Sequence, residues 1–318
     1  MGKKTKQDPT GQNSNRNKGS RILQARIKKA KAEVMDLFSA IPKRSTVQKR
    51  IINARDDQVV YEYDISPTEQ QLLAAGVTAA VNGYLLESQD AMPADWYWKK
   101  KIELPYRQGT LEESARFNQL IAESTIAAKK AGDVAEPFIA QITSEQVLTS
   151  REYRDALQNV YASNYHEIKA LSEKTASQVI QVVNDGISAG ETPARISKQI
   201  SERFGVAESS AQRIATTEFN RAYTNSKLNA VKVISKRTGL RAGVIHISAL
   251  MPSTRSSHAA RHGNAYTVAD QEQWWNSGAN RINCHCNVIS VLIDNNGRVV
   301  QSQTQEEIKA ERDYFTKG

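Results

Sequence analysis

Residues 208–247 read ESSAQRIATTEFNRAYTNSKLNAVKVISKRTGLRAGVIHI. Glu208 to Thr238 has the pattern of one long helix, and Gly239 closes it as glycine commonly does past a helix end. Arg241 to Ile247 then reads as a β-strand. Downstream, Val288–Ile293 and Arg298–Gln301 flank Asp294-Asn295-Asn296-Gly297, and Asn-Gly favours the tight turn of a hairpin. A long helix leading into a small β element predicts a mostly α chain with a small C-terminal β element (α+β class).

Upstream the pattern stays helical. Ser66-Pro67-Thr68-Glu69 is a capping box with proline in the first turn, so a helix is expected from there to about Glu87. The residues before it, Val59 to Ile65, read as a strand. Thr110-Leu111-Glu112-Glu113 is read as a second capping box, starting a helix that stops near Gly132. Residues 150–184 are helical. Thr192-Pro193 starts a short helix ending before Gly205. Trp96, Tyr97, Trp98 and Tyr106 surround Lys99-Lys100-Lys101; such interleaving can stack single-stranded nucleic acid, but a loop folded over the core is favoured. Three parts follow: 1–50, a basic, partly disordered arm with one amphipathic helix; 51–189, a helical domain; and 190–318, an α+β module.

Charge is concentrated at the start. The chain carries +9, yet residues 1–50 hold 14 Lys or Arg against 3 Asp or Glu, a balance of +11 that leaves the remainder at −2. Residues 1–19 lack apolar periodicity and are expected to be disordered in isolation. From Ser20, Leu23, Ile27, Ala30, Val34 and Leu37 recur on one face of a helix that Ile41-Pro42 ends. The basic residues Lys3, Lys4, Lys6, Arg16, Lys18, Arg21, Arg26, Lys28, Lys29 and Lys31 are the expected contacts to a polyanion, double-stranded DNA above all, because neutralising phosphates releases counterions. No run of about 18 apolar residues is present, so no membrane partner is expected. The basic start lacks the apolar stretch of a secretory signal, and synthesis in a cytoplasm is expected.

Three of the five histidines and both cysteines fall between Arg255 and Val288. Cys284 and Cys286 are two apart, so an extended segment turns both thiols to one side. His258 and His262 are four apart, so a helix turns both imidazoles to one side. The four would make a tetrahedral Cys2His2 zinc site, with His246 a competing ligand. The alternative is a hydrogen-bonded His258 beside two buried thiols. No Gly-rich phosphate loop, Gly-x-Ser-x-Gly or His-Glu-x-x-His is present, and no acidic cluster lies near His258 in sequence, so an enzyme is not expected.

The order Ala215-Thr216-Thr217-Glu218 with Asn220-Arg221-Ala222-Tyr223, then Arg255-Ser-Ser-His258-Ala-Ala-Arg-His262-Gly263, Trp274-Trp275 and Ile282-Asn283-Cys284-His285-Cys286 resembles the phage Mu F-like family of minor head (head morphogenesis) proteins. The resemblance covers about residues 190–290. The sequence departs from the family pattern in having Cys-His-Cys in place of Cys-Arg-Cys, Ser256 and Ser257 where some members have cysteines, and Pro252-Ser253 where an acidic residue is common. The resemblance implies a structural virion protein acting in head morphogenesis and DNA packaging. It would sit inside the capsid near the portal, with the portal protein and the major capsid or scaffold protein as partners. A zinc-stapled nucleic-acid-binding module outside the virion is the alternative, and a metal-dependent nuclease the third reading. Within the module a Glu218–Arg255 ion pair is expected to lock helix to β element.

Overall fold

The computed structural model describes residues 5, 7–48, 58–87, 94–97, 101–130, 142–294, 296, 298–300 and 302–317. Its elements, in chain order, are α1 (Asn13–Ser39), β1 (Lys43–Gln48), β2 (Gln58–Tyr63), α2 (Pro67–Leu85), α3 (Asp95–Tyr97), α4 (Glu103–Lys130), α5 (Ser144–Leu148), α6 (Arg151–Ser188), α7 (Pro193–Thr238), β3 (Ala242–Ile247), α8 (Ser256–Arg261), β4 (Ala265–Tyr266), α9 (Val268–Asn276), β5 (Asn287–Leu292) and α10 (Ser302–Lys317). The chain is mostly helical with small antiparallel β elements. Two compact units are present. One comprises Met1–Asn17, Tyr97–Asn164 and Ala215–Gly318; the other comprises Lys18–Trp96 and Tyr165–Ile214.

In the second unit, α1 buries Leu23, Ile27, Ala30, Val34 and Phe38. The four-three spacing of the apolar stripe is therefore the buried face, except that Phe38 takes the place given to Leu37. The α2 start is the expected capping box: Ser66 Oγ accepts from the Glu69 amide at 3.3 Å, and Glu69 Oε2 accepts from the Ser66 amide at 2.7 Å. That helix buries Val77, Ala80, Val81 and Leu85. The expected strand is β2, and it pairs antiparallel with β1 from Lys43↔Tyr63 to Gln48↔Gln58.

The first unit is built on a three-stranded antiparallel sheet, β4-β3-β5, with β3 and β5 in register from Ala242↔Leu292 to Ile247↔Asn287. Its core joins Phe117, Leu120 and Ile121 of α4, Leu228, Val231 and Ile234 of α7, Val244 of β3, Trp275 of α9, both cysteines, and Val288 and Leu292 of β5. Lys227 of α7 is buried against Glu113 of α4 at 2.9 Å and donates to the Val288 carbonyl, while Glu113 Oε1 accepts from the Ser290 amide at 2.8 Å. Two helices and a strand thus meet at one ion pair.

Several expectations change. Helix α1 begins at Asn13, not Ser20, and Asp8, Thr10, Gln12 and Arg16 are buried in the described part of residues 1–19 expected to be disordered. Thr110 does not cap: α4 starts at Glu103, the Thr110 hydroxyl donates to the Tyr106 carbonyl, and Glu113 is drawn inward to Lys227. Gly205 does not end a helix. A helical glycine costs about 1 kcal/mol, and buried Ile200, Phe204, Ala207 and Ala211 on either side outweigh that cost. Among the described residues the C-terminal hairpin is short: an Ile293↔Val299 bridge, with the Val300 amide donating to the Leu292 carbonyl at 2.9 Å. In the aromatic–lysine segment Tyr97 and Tyr106 are buried; Trp98, Lys99 and Lys100 lie outside the described residues, as does Gly132.

Helices α4 and α7 are in close contact at Gly109, where a Cβ would lie 2.4 Å from the Tyr223 carbonyl oxygen and 2.1 Å from Ser226 Oγ. Backbone cannot yield as a side-chain tip can, so Gly109→Ala is expected to destabilise by at least about 2 kcal/mol. Urea unfolding checks this, and an unchanged midpoint would contradict the packing described.

Candidate functional site

Four segments of the first unit converge on the His/Cys cluster. Strand β3 brings His246, α8 brings His258, α9 brings Gln271 and Trp274, and the loop before β5 brings Cys284, His285 and Cys286. His246, His258, Cys284 and Cys286 are each at most 3 % exposed. The loop is held by three side chains. Thr217 Oγ1 accepts from the Asn283 amide at 3.0 Å, and Asn220 Nδ2 donates to the Cys286 carbonyl at 2.9 Å. Arg255 donates to the carbonyls of Ala279 and Ile282 at 2.7 and 2.8 Å. These contacts hold Asn283 at φ 52°, a left-handed conformation that asparagine tolerates better than most residues.

At the centre, His258 Nδ1 lies 3.4 Å from Cys286 Sγ and 3.7 Å from Cys284 Sγ. The Cys286 amide donates to Cys284 Sγ at 3.4 Å. The Cys284 thiol is pushed down by the Cys286 S–H and by His258, and Cys286 is correspondingly pushed up by Cys284 and by burial. His246 Nδ1 is 3.3 Å from Gln271 Oε1, an oxygen that also accepts from Arg261. An amide oxygen only accepts, so His246 carries its proton on Nδ1 and presents a lone pair on Nε2. That Nε2 is buried without a hydrogen-bond partner. Both imidazoles pack edge-on against Trp274, at 5.2 Å for His246 and 4.8 Å for His258.

The N-terminal segment reaches this loop. Asn287 Nδ2 donates to the Pro9 carbonyl at 2.8 Å, and buried Arg16 pairs with Asp8 at 2.9 Å. Burial, reinforced by the Arg16 cation, pushes His285 down to about 4. Beside the cluster, Met251, Thr254, Arg255, His258, Asn283 and Cys284 help line a cavity of about 90 Å³. Organic ligands typically occupy about 300–1,000 Å³, so the space suits an ion or a few waters.

Of the four expected metal ligands, His258, Cys284 and Cys286 come together and His262 does not. Helix α8 ends at Arg261, and His262 (φ −57°, ψ 127°) has left the helical spiral before the turn at Gly263 (φ 77°). Its Nδ1 accepts from the Ser248 amide at 3.0 Å and its Nε2 lies 3.7 Å from Glu311 of α10. His246 takes the position instead. A histidine amid the apolar residues of a strand, Val-Ile-His-Ile, was its signal in the sequence. The expected Glu218–Arg255 pair is not formed: Glu218 pairs with Arg221 at 3.1 Å, and Arg255 is spent on loop carbonyls. A helical i,i+3 partner reaches buried Glu218 directly, whereas Arg255 is exposed. In the basic set, Arg16 is turned inward by Asp8 and Arg26 donates to the Tyr84 carbonyl, whereas Lys18, Arg21, Lys28 and Lys29 are exposed and Lys31 is half-buried. Lys3, Lys4 and Lys6 lie outside the described residues.

Burial pushes His262 below its ordinary value. The unfolded chain then binds the extra proton first, so the stability held by neutral His262 is complete above about pH 6.5 and is lost as pH falls through that value toward the lowered folded one. Urea unfolding at pH 7.5 and 5.5 should show a fall in stability that is smaller in His262→Gln. An equal fall in both proteins would contradict this.

In a comparison with known protein families, residues 177–289 fit the model of the family described as Phage Mu protein F like protein. No curated protein and no solved structure matches. The matched stretch holds Thr217, Asn220, Arg255, His258, Cys284 and Cys286, the residues just described around one loop. Over residues 177–289 the chain is similar to the Phage Mu protein F like family.

Proposed function

We propose that this chain is a minor head protein of a tailed bacteriophage, acting in head morphogenesis from the capsid interior near the portal, and that the exposed face of α1 meets packaged double-stranded DNA. The observation that carries the reading is the family match over residues 177–289, a family of phage head morphogenesis proteins. The site agrees with a structural role. Thr217, Asn220 and Arg255 hold the loop, and the adjoining cavity is small for an organic substrate.

The DNA contact rests on α1. At 100° per residue, Lys18, Arg21, Lys28 and Lys29 fall within an arc about 100° wide, opposite the buried stripe. All four are exposed, and none makes an ion pair among the described residues. Cations so arranged, on a helix whose other face is fixed in a core, offer a preformed ridge to a phosphate backbone.

Quantitative mass spectrometry of purified particles tests the virion assignment. A few copies per particle, far below the major capsid protein, are expected; absence from particles would overturn the assignment. The DNA contact is tested separately with the full chain and duplex DNA at several salt concentrations. Replacing Lys18, Arg21, Lys28 and Lys29 by Gln should flatten the slope of log K against log salt by about 3 to 4. An unchanged slope would remove α1 from the DNA contact.

A further inference from the structure

We propose that His246, His258, Cys284 and Cys286 form a closed structural zinc site, with His262 outside it. Three observations converge on these residues. First, ligand atoms of His246, His258 and Cys286 lie within 4.8 Å of one another, and Cys284 Sγ is 3.7 Å from His258 Nδ1. A tetrahedral zinc with Zn–S near 2.3 Å and Zn–N near 2.05 Å sets its sulfur and nitrogen ligands about 3.6 Å apart. The two thiol-to-imidazole distances of 3.4 and 3.7 Å bracket that value. Zinc would draw His246 inward to reach the same spacing.

Second, His246 Nε2 is a buried lone pair with no hydrogen-bond partner. An orphaned acceptor costs about 1–3 kcal/mol, and a metal ion is the partner that satisfies it. The Gln271 oxygen on the opposite ring nitrogen is the outer contact that metal-bound histidines regularly make, fixing tautomer and ring direction. Third, the charges close. Two thiols binding Zn²⁺ release two protons to solvent, so the filled centre of two thiolates and two neutral imidazoles is uncharged and suits a dry interior. The alternative is a network of S–H···N contacts around His258, which uses both sulfurs but leaves His246 Nε2 unsatisfied.

The metal would join β3, α8 and the loop before β5, adding a cross-link to segments already tied by hydrogen bonds. Imidazole and thiolate together favour zinc over the oxygen-seeking magnesium or calcium.

The test uses the full chain, purified from zinc-supplemented medium, with metal counted by plasma mass spectrometry and then exchanged for Co²⁺. About one zinc per chain is expected, and the cobalt form should show the intense visible bands of a tetrahedral ion with thiolate charge transfer. His246→Gln and Cys286→Ser should each lower zinc affinity at least about 100-fold, since even outer contacts are worth 10–100-fold. His262→Gln should keep wild-type zinc content. A folded wild-type chain that neither retains zinc nor gives a tetrahedral cobalt spectrum would overturn the proposal, whatever the variants do. So would loss of zinc in folded His262→Gln with retention in His246→Gln.

Discussion

The buried pair between Lys227 and Glu113 is the constraint on which the first unit depends. Taking an ammonium and a carboxylate out of water costs several kcal/mol for each ion, and the loss is offset only where the remaining donors and acceptors are also filled. Here they are. Lys227 reaches the carboxylate of Glu113 and the Val288 carbonyl, and the second Glu113 oxygen takes the Ser290 amide. Both carbonyl and amide belong to β5, whose first residue directly follows Cys286. The pair therefore sets the position of the strand and, one residue earlier, of the Cys-His-Cys loop. Removing one partner would strand a buried charge, at about 3–5 kcal/mol.

The same logic extends along α7. The helix presents Thr217, Asn220, Thr224 and Lys227 to the loop and strand, so polar side chains do the joining that apolar ones do in a richer core. Arg281 shows the cost: burial lowers its guanidinium to about 9 while it donates to Thr224 and Asn225 and lies over the Trp275 ring at 4.2 Å. Gly109 is the complement. Only a residue without Cβ lets α4 come near enough for Glu113, one turn on, to meet Lys227.

Much of this was legible in the sequence because it is local. The α1 stripe, the Ser66 capping box, the strand after Gly239 and the Thr217-Glu218 helix each follow from spacing within a few residues. What could not be read there depended on distant partners. Glu113 looked like a cap because its true partner lies more than a hundred residues away. His262 shares the i,i+4 spacing of a helical pair with His258, but α8 ends at Arg261 just before the left-handed turn at Gly263. Arg16 reads as a free cation until Asp8 folds back onto it. Three members of the His/Cys cluster were marked by composition; the fourth, His246, stood in the sequence as a competing ligand, and the antiparallel sheet brings it beside the loop before β5.

That a single buried pair fastens helices and strand is tested most directly by a double-mutant cycle on stability, with Glu113→Gln, Lys227→Met and the combination unfolded in urea. Each single change should cost about 3 kcal/mol or more, and the double change distinctly less than their sum, a coupling above about 1.5 kcal/mol. Additive losses would mean that the two charges act separately, and that the strand and its loop are positioned by something else.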